Sequence, residues 1–279
     1  MRSTLLALVM SLSLSACASA PPEAPAEVPL AGPEAGPEAG PEVGSEAGSE
    51  AGSAEGSAEG SASVPALETP YRVLILGDSI SIGYTATVRE LLAGEAEVLR
   101  PMRTRADGKP PRPENCEGTN KGVGSIDRWL AMEGGPFDVI HFNFGLHDMK
   151  RVDAASGRNS DDPLDPHQAS PERYGRQLTE IVSKLEGSGA RLVFATTTPV
   201  PTGDLRPYRE PADAEEYNRV ALGIMEAEGI PVNDLFGFIS ASPPELQRPS
   251  DVHFTAEGSR ALGAEVARAV RGVAGARSR

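Results

Sequence analysis

Val73-Leu74-Ile75-Leu76-Gly77-Asp78-Ser79-Ile80-Ser81-Ile82-Gly83-Tyr84 is the stretch from which the fold can be read. Its first four residues are continuously apolar and too few for a helix, as in a strand covered on both faces. Gly77 follows, where the chain can turn sharply without a side chain to collide. A helix is then expected over residues 82–93. This strand–turn–helix puts Ser79 at the carboxyl end of the strand, the edge where open α/β sheets bind their ligands. The helix directs its first backbone N–H groups at any anion formed there. Ser79 is therefore a candidate nucleophile, although Gly-Asp-Ser alone is also an ordinary turn with a helix N-cap.

Outward from this stretch, apolar runs alternate with helical patterns. Strands are expected at 96–99, 137–144, 191–196 and 230–233, and helices at 125–132, 172–185, 214–228 and 256–273. Such alternation predicts right-handed crossovers and an α/β fold, a five-stranded parallel sheet between helical layers. Loops after the strands gather at the sheet's carboxyl edge. Ser79 and the loops 101–117, 145–171 and 198–211 should converge there.

The chain of 279 residues is not uniform along its length. Residues 1–17 read as an export signal, with Arg2, an apolar core from Leu5 to Leu14, and small residues before Cys17. Leu14-Ser15-Ala16-Cys17 resembles the lipobox of bacterial lipoproteins. That resemblance implies a lipidated Cys17, membrane attachment and a place in the cell envelope; an ordinary cleaved signal is the alternative. Residues 18–69 are rich in Ala, Gly, Pro, Ser and Glu, with Ala-Gly-Pro-Glu repeated from Ala31 to Glu42. This composition cannot bury a core and reads as a disordered tether to a single domain over 70–279. Of the net charge of −14, ten glutamates belong to this segment, which has no Lys or Arg. The acidity argues against a nucleic-acid role. Cys116 is left without a disulfide partner once Cys17 is lipidated.

A serine needs a base to take its proton, and the base works best when a carboxylate orients it. Asp251-Val252-His253, in a turn before the last helix, supplies both groups. The other histidines read differently: His141 lies inside an apolar strand as a core residue, and His167 lies in a polar loop as a solvated one. No Cys-x-x-Cys, His-x-x-x-His or phosphate-loop pattern points to a metal or cofactor. Asp148 and Asp153 read as solvated acids. Arg100, Arg103, Arg105, Lys109 and Arg112 form a basic run suited to an anionic substrate or simply to a wet surface.

Four blocks in order make residues 71–258 resemble an SGNH (GDSL-type) hydrolase. They are Gly77-Asp78-Ser79, Asn115-Cys116-Glu117-Gly118, Gly145-Leu146-His147-Asp148 and Asp251-Val252-His253. The resemblance implies a flavodoxin-like three-layer α/β/α sandwich and a serine esterase without a cofactor. It implies Ser79 as nucleophile, His253 as base, Asp251 as the orienting acid, and an oxyanion hole from the Ser79 and Gly118 backbone N–H groups with His147. Gly122 and Gly124 follow closely as alternatives to Gly118, which is nearest the Asn115 of its block. Two departures stand out. The third block usually carries Asn where this chain has His147, whose imidazole N–H can also donate; Asn143 is the other candidate donor. The acid usually stands three residues before the histidine, where this chain has Ser250. Asp251, two before, needs a local backbone shift to reach the ring, failing which His253 leans on a backbone carbonyl. Polar loops poor in aromatics favour short acyl groups, acetyl above all, on a carbohydrate or another small ester. A lysophospholipase or thioesterase, or a glycan-binding module without turnover, remain as alternatives.

Overall fold

The computed structural model describes residues 65–132 and 134–275. The chain divides into two units, 1–59 and 60–279, and the described residues all belong to the second. Cys17 and the lipobox lie outside the described residues.

In chain order the elements are β1 (Tyr71–Leu76), α1 (Ser79–Leu91), β2 (Ala96–Leu99), a hairpin of β3 (Met102–Arg103) and β4 (Arg112–Pro113), and α2 (Thr119–Leu130). Then come β5 (Val139–Phe142), α3 (Pro171–Glu186), β6 (Arg191–Ala195), α4 (Asp213–Ala227), β7 (Val232–Asn233), α5 (Leu235–Ser240) and α6 (Ala256–Ala274). The main sheet has five strands in the order β2-β1-β5-β6-β7, and every pairing in it is parallel. This is the expected α/β sandwich.

Strand alternation builds the layers. Leu74 and Leu76 of β1, Ile140 and Phe142 of β5, and Leu192 and Phe194 of β6 face α2, α3 and α4. Val73 and Ile75, Val139, and Val193 and Ala195 face α1 and α6 on the opposite side. Both faces are covered, so the strands read as unbroken apolar runs. Each fully buried Val, Leu, Ile or Phe contributes roughly 1.5–3 kcal/mol. On the second face α1 and α6 pack closely because Gly263 has no side chain: a Cβ there would stand 2.6 Å from Thr87 Cβ.

The starts of α3, α4 and α6 fall within a residue of the expected ones, whereas α2 begins at Thr119, six residues before the expected 125, behind Gly118 and without a side-chain cap. The Ser170 hydroxyl caps α3, whose first residue is Pro171, and Thr255 caps α6. Gly275, at φ 70°, ends α6 in the left-handed conformation. The sheet order reverses direction beside β1, which lies between β2 and β5. That switch point is where a doubly wound sheet opens a crevice, and the segments after β1 and β5 frame it.

Candidate active site

Ser79 is the first residue of α1, one position after Asp78, whose carboxylate caps the helix by accepting from Ile80 N. Its Oγ lies 2.8 Å from His253 Nε2. His253 Nδ1 lies 2.6 Å from Asp251 Oδ1, which also accepts the His253 backbone N–H at 3.0 Å. With Nδ1 donating to the carboxylate, Nε2 presents its lone pair to the serine hydroxyl.

The backbone shift that Asp251 needs is found at Ser250, whose φ of 49° is left-handed. That conformation costs an L-residue about 1–2 kcal/mol. It turns Asp251 under the ring from a position two residues away. Gly203 makes room for it, since a Cβ there would stand 2.2 Å from Ser250 Oγ. The whole turn is clasped by Arg248 N donating to His253 O and by Thr255 N donating to Leu246 O. Burial pushes the Asp251 carboxyl up, but the hydrogen bonds from His253 and the charges of His253 and Arg248 outweigh it. The group is held below its ordinary range.

The other two blocks are knitted to the first by hydrogen bonds. Cys116 N donates to Gly77 O, setting the second block beside the nucleophile turn. Asn115 Oδ1 accepts from Glu117 N, and Glu117 takes a left-handed φ of 57° immediately before Gly118. Gly118 then caps α2 with extended backbone. Asp148 of the third block reaches across, accepting from Thr119 N at 2.8 Å and lying 2.6 Å from Thr119 Oγ1. Among the described residues, the Ser79 and Gly118 amides donate to no other group. They are unpaired donors at two helix starts.

His147 is half-buried on the turn after β5, and its Nδ1 is sealed without a partner. Burial, with the charges of Lys150, Arg209, Lys121 and His253, pushes its pKa down to about 3. The ring is neutral at any ordinary pH and carries one N–H.

The model of the GDSL-like lipase/acylhydrolase family matches residues 75–261, a span that contains all four blocks. The chain belongs to this family. It is thus an ester-bond hydrolase on the SGNH fold. Among solved structures, it resembles the lipase/acylhydrolase from Enterococcus faecalis, at 21% identity over 72% of this chain and 96% of that one, with a TM-score of 0.54. It also resembles the acetyl xylan esterase AlAXEase, at 16% identity over 71% and 99% of the two chains, TM-score 0.53. A third likeness is to TesA, at 17% identity over 72% and 99%, TM-score 0.51. At these identities the likenesses speak for the fold. No curated protein matches the sequence significantly.

Several residues of this GDSL-type hydrolase lie where sequence reading did not put them. Arg100 does not belong to a basic surface: it is 1% exposed and bonds Ser81 Oγ, Thr85 Oγ1 and Glu114 O, bracing α1 from within. Arg105 is tied to Asp107. Asp148 is not solvated but fully buried. Asp153 is a surface acid, folded onto Ser156. His167 is not solvated either; its Nε2 lies 2.9 Å from Asp213, which also pairs with Arg151. His141 is a core residue as expected, edge-on to Tyr84, with Nε2 3.3 Å from Asn233. Asn143 donates to Ala195 O, a structural bond across the sheet. Cys116 is free and buried, its thiol pushed up to about 11 by that burial. Among the described residues, no group of three or more His, Cys, Asp or Glu is placed to hold a metal.

Lys150 and Arg209 were not singled out in the sequence, yet both are more than nine-tenths buried near His147. Neither residue falls in a motif, and only the fold brings residue 209 back to Leu146, whose carbonyl accepts from Arg209 Nε at 2.8 Å.

Proposed function

We propose that the chain is a serine esterase working through an acyl-enzyme, and that it removes short acyl groups, acetyl above all, from a carbohydrate or another small ester. The observation that carries the reading is the continuous hydrogen-bonded line from Ser79 Oγ through His253 to Asp251. In the first half-reaction Ser79 attacks the ester carbonyl while His253 Nε2 takes its proton. The imidazolium so formed is stabilised by Asp251. The negative charge passes to the carbonyl oxygen, which the Ser79 and Gly118 amides and the His147 N–H receive. His253 then gives its proton to the departing alcohol, leaving the acyl group on Ser79. Water, deprotonated by the same histidine, frees the acid.

The oxyanion donors are fixed before substrate arrives, which is what gives such groups their effect: each removes a few kcal/mol from the barrier. His147 suits the task because it is neutral and shielded. Short acyl groups are favoured by the charged side chains around His147, namely Lys121, Lys150 and Arg209, with Glu117 near Lys150. A methyl group needs no apolar channel.

From the sequence alone we also infer that residues 1–17 direct export, that Cys17 is lipidated, and that the Ala/Gly/Pro/Ser/Glu-rich segment after it tethers the domain at the cell envelope. The expected tether 18–69 is too long at its end, because Pro65 O accepts from Arg191 and Leu67 N donates to Ala274 O, which fastens these residues to the domain. Cys17→Ser should move the protein from the membrane to the soluble fraction.

Acyl preference is tested by hydrolysis of p-nitrophenyl acetate against p-nitrophenyl decanoate. The acetate should be preferred in kcat/KM. A preference for the decanoate would replace this reading with a lipid hydrolase.

A further inference from the structure

The charge balance around the site is at odds with its depth. Lys150 and Arg209 are 8% and 6% exposed, respectively. Among the described residues, neither has a carboxylate within ion-pair distance, while Lys121 close by is neutralised by Glu114 and Glu117. Arg209 uses Nε on Leu146 O and Nη1 on Pro207 O, leaving Nη2 without a partner; Lys150 Nζ has none at all. Neither of these nitrogens is among the sealed, unpartnered atoms of the interior, so both reach solvent.

Bringing two like charges together out of water is unfavourable unless an anion joins them. The Lys150 ammonium is held below its ordinary pKa by burial and then by Arg209, against the more distant carboxylates of Glu117 and Asp148, and burial pushes Arg209 down to about 10 against the carboxylate of Asp78. Both also act on His147. Arg209 is bonded to Leu146 O, the residue before His147, and Lys150 follows it by three positions. The pair therefore lies close to His147, the third donor proposed for the carbonyl oxygen of an ester.

We propose that Lys150 and Arg209 form an anion subsite beside that position, so that the preferred substrate is an ester bearing a carboxylate, sulfate or phosphate near its scissile bond. This rests on the esterase reading and narrows its substrate class. An ammonium and a guanidinium fork held apart by separate backbone segments bind such a group from two sides. The domain's overall acidity does not oppose this, because surface charge is screened within about 10 Å while a half-enclosed site is screened far less.

The test compares matched esters on the full chain, each rate divided by its spontaneous hydrolysis. One pair places the charge on the alcohol side, p-carboxyphenyl acetate against p-carbamoylphenyl acetate. The other places it on the acyl side, the mono-p-nitrophenyl ester of adipic acid against p-nitrophenyl hexanoate. The anionic ester should be preferred by about tenfold or more in kcat/KM in at least one pair. The preference should fall towards one in Lys150→Met and survive in Lys150→Arg. If the cations instead serve only the reaction's own oxyanion, Lys150→Met will slow both esters of a pair alike, and the subsite is overturned. No preference in either pair overturns it too, while turnover of the neutral esters that needs Ser79 leaves the esterase standing. A readout free of turnover is calorimetric binding of p-carboxyphenyl acetate to the Ser79→Ala variant. Binding should be lost when Lys150→Met is added; equal binding with and without Lys150 contradicts the proposal.

Discussion

Gly118 lies against Asp148 so closely that a Cβ on residue 118 would stand 2.8 Å from the carboxyl carbon and from both oxygens. The same carboxyl holds the first turn of α2 through Thr119. Asp148 therefore sets the position of the Gly118 amide relative to Ser79, and the absence of a side chain at 118 is what lets it do so. Since Gly118 has an ordinary extended φ of −99°, the objection to alanine there is steric alone. Gly118→Ala should cost about 1–3 kcal/mol of stability. It should also lower kcat by roughly 10²-fold or more by displacing one oxyanion donor. Thermal melts and esterase kinetics on the same preparation check both; a variant of wild-type kcat would remove Gly118 from the site.

The left-handed Ser250 makes a second prediction. Glycine and asparagine tolerate that conformation, and a β-branched residue does not. Ser250→Gly should retain most activity, whereas Ser250→Val should pull Asp251 from the His253 ring and cost about 10–100-fold in kcat. Gly203→Ala, 47 residues earlier in the chain, should act in the same direction through its contact with Ser250. Equal activity in Ser250→Val and Ser250→Gly would show that the turn does not position the acid.

His147 offers a donor without titrating. Held down to about 3, it stays neutral across any assay range. His147→Asn, which restores the amide usual in this family, should keep activity within about tenfold and leave the shape of the pH–rate profile unchanged. His147→Ala should lose about 10²–10³-fold. A shift in the acid limb of the profile in His147→Asn would mean that the histidine exchanges protons during turnover.

Asp148 carries a proton at mildly acidic pH. Burial raises its carboxyl to about 6 despite the bonds from Thr119. Between the ordinary value of 3.8 and about 6, the folded chain holds a proton that the unfolded chain has released. This contribution, about 3 kcal/mol, is present below that window and lost as pH rises through it. His141, pushed down to about 4, and His147 act oppositely: the unfolded chain takes up their protons below about 6.5, so stability falls as pH falls. Asp148→Asn should remove only the first contribution, so its melting temperature should climb more steeply with pH between about 4 and 6.5 than that of wild type. Parallel curves would contradict the assignment.

The sheet and its helices were legible because strands buried on both faces announce themselves as short apolar runs, and the helices carry Ser170, Pro171 and Thr255 at their starts. The β3–β4 hairpin was not legible: its strands are two residues each, one of them containing Pro113. The short α5 was missed although Asp234 caps it by accepting from Gly237 N. At the site, Ser79, His253 and Gly118 could be named as candidates from their blocks, and the structure brings Ser79, His253 and Asp251 into one hydrogen-bonded line. Asp251 was harder, since its reach depends on a single backbone angle at Ser250 that no sequence pattern states. Arg100 was misread because its partners Ser81 and Thr85 belong to another element, and Lys150 and Arg209 acquire meaning only when two loops meet at Leu146.

The central claim is that Ser79 is the nucleophile and His253 its base. Release of p-nitrophenol from p-nitrophenyl acetate by the full chain tests it most directly, comparing wild type with Ser79→Ala and His253→Ala. The account predicts that each variant loses at least about a thousandfold in kcat and that the double variant loses little more, because the two residues act as one unit. Ser79→Ala retaining activity within tenfold of wild type would contradict it.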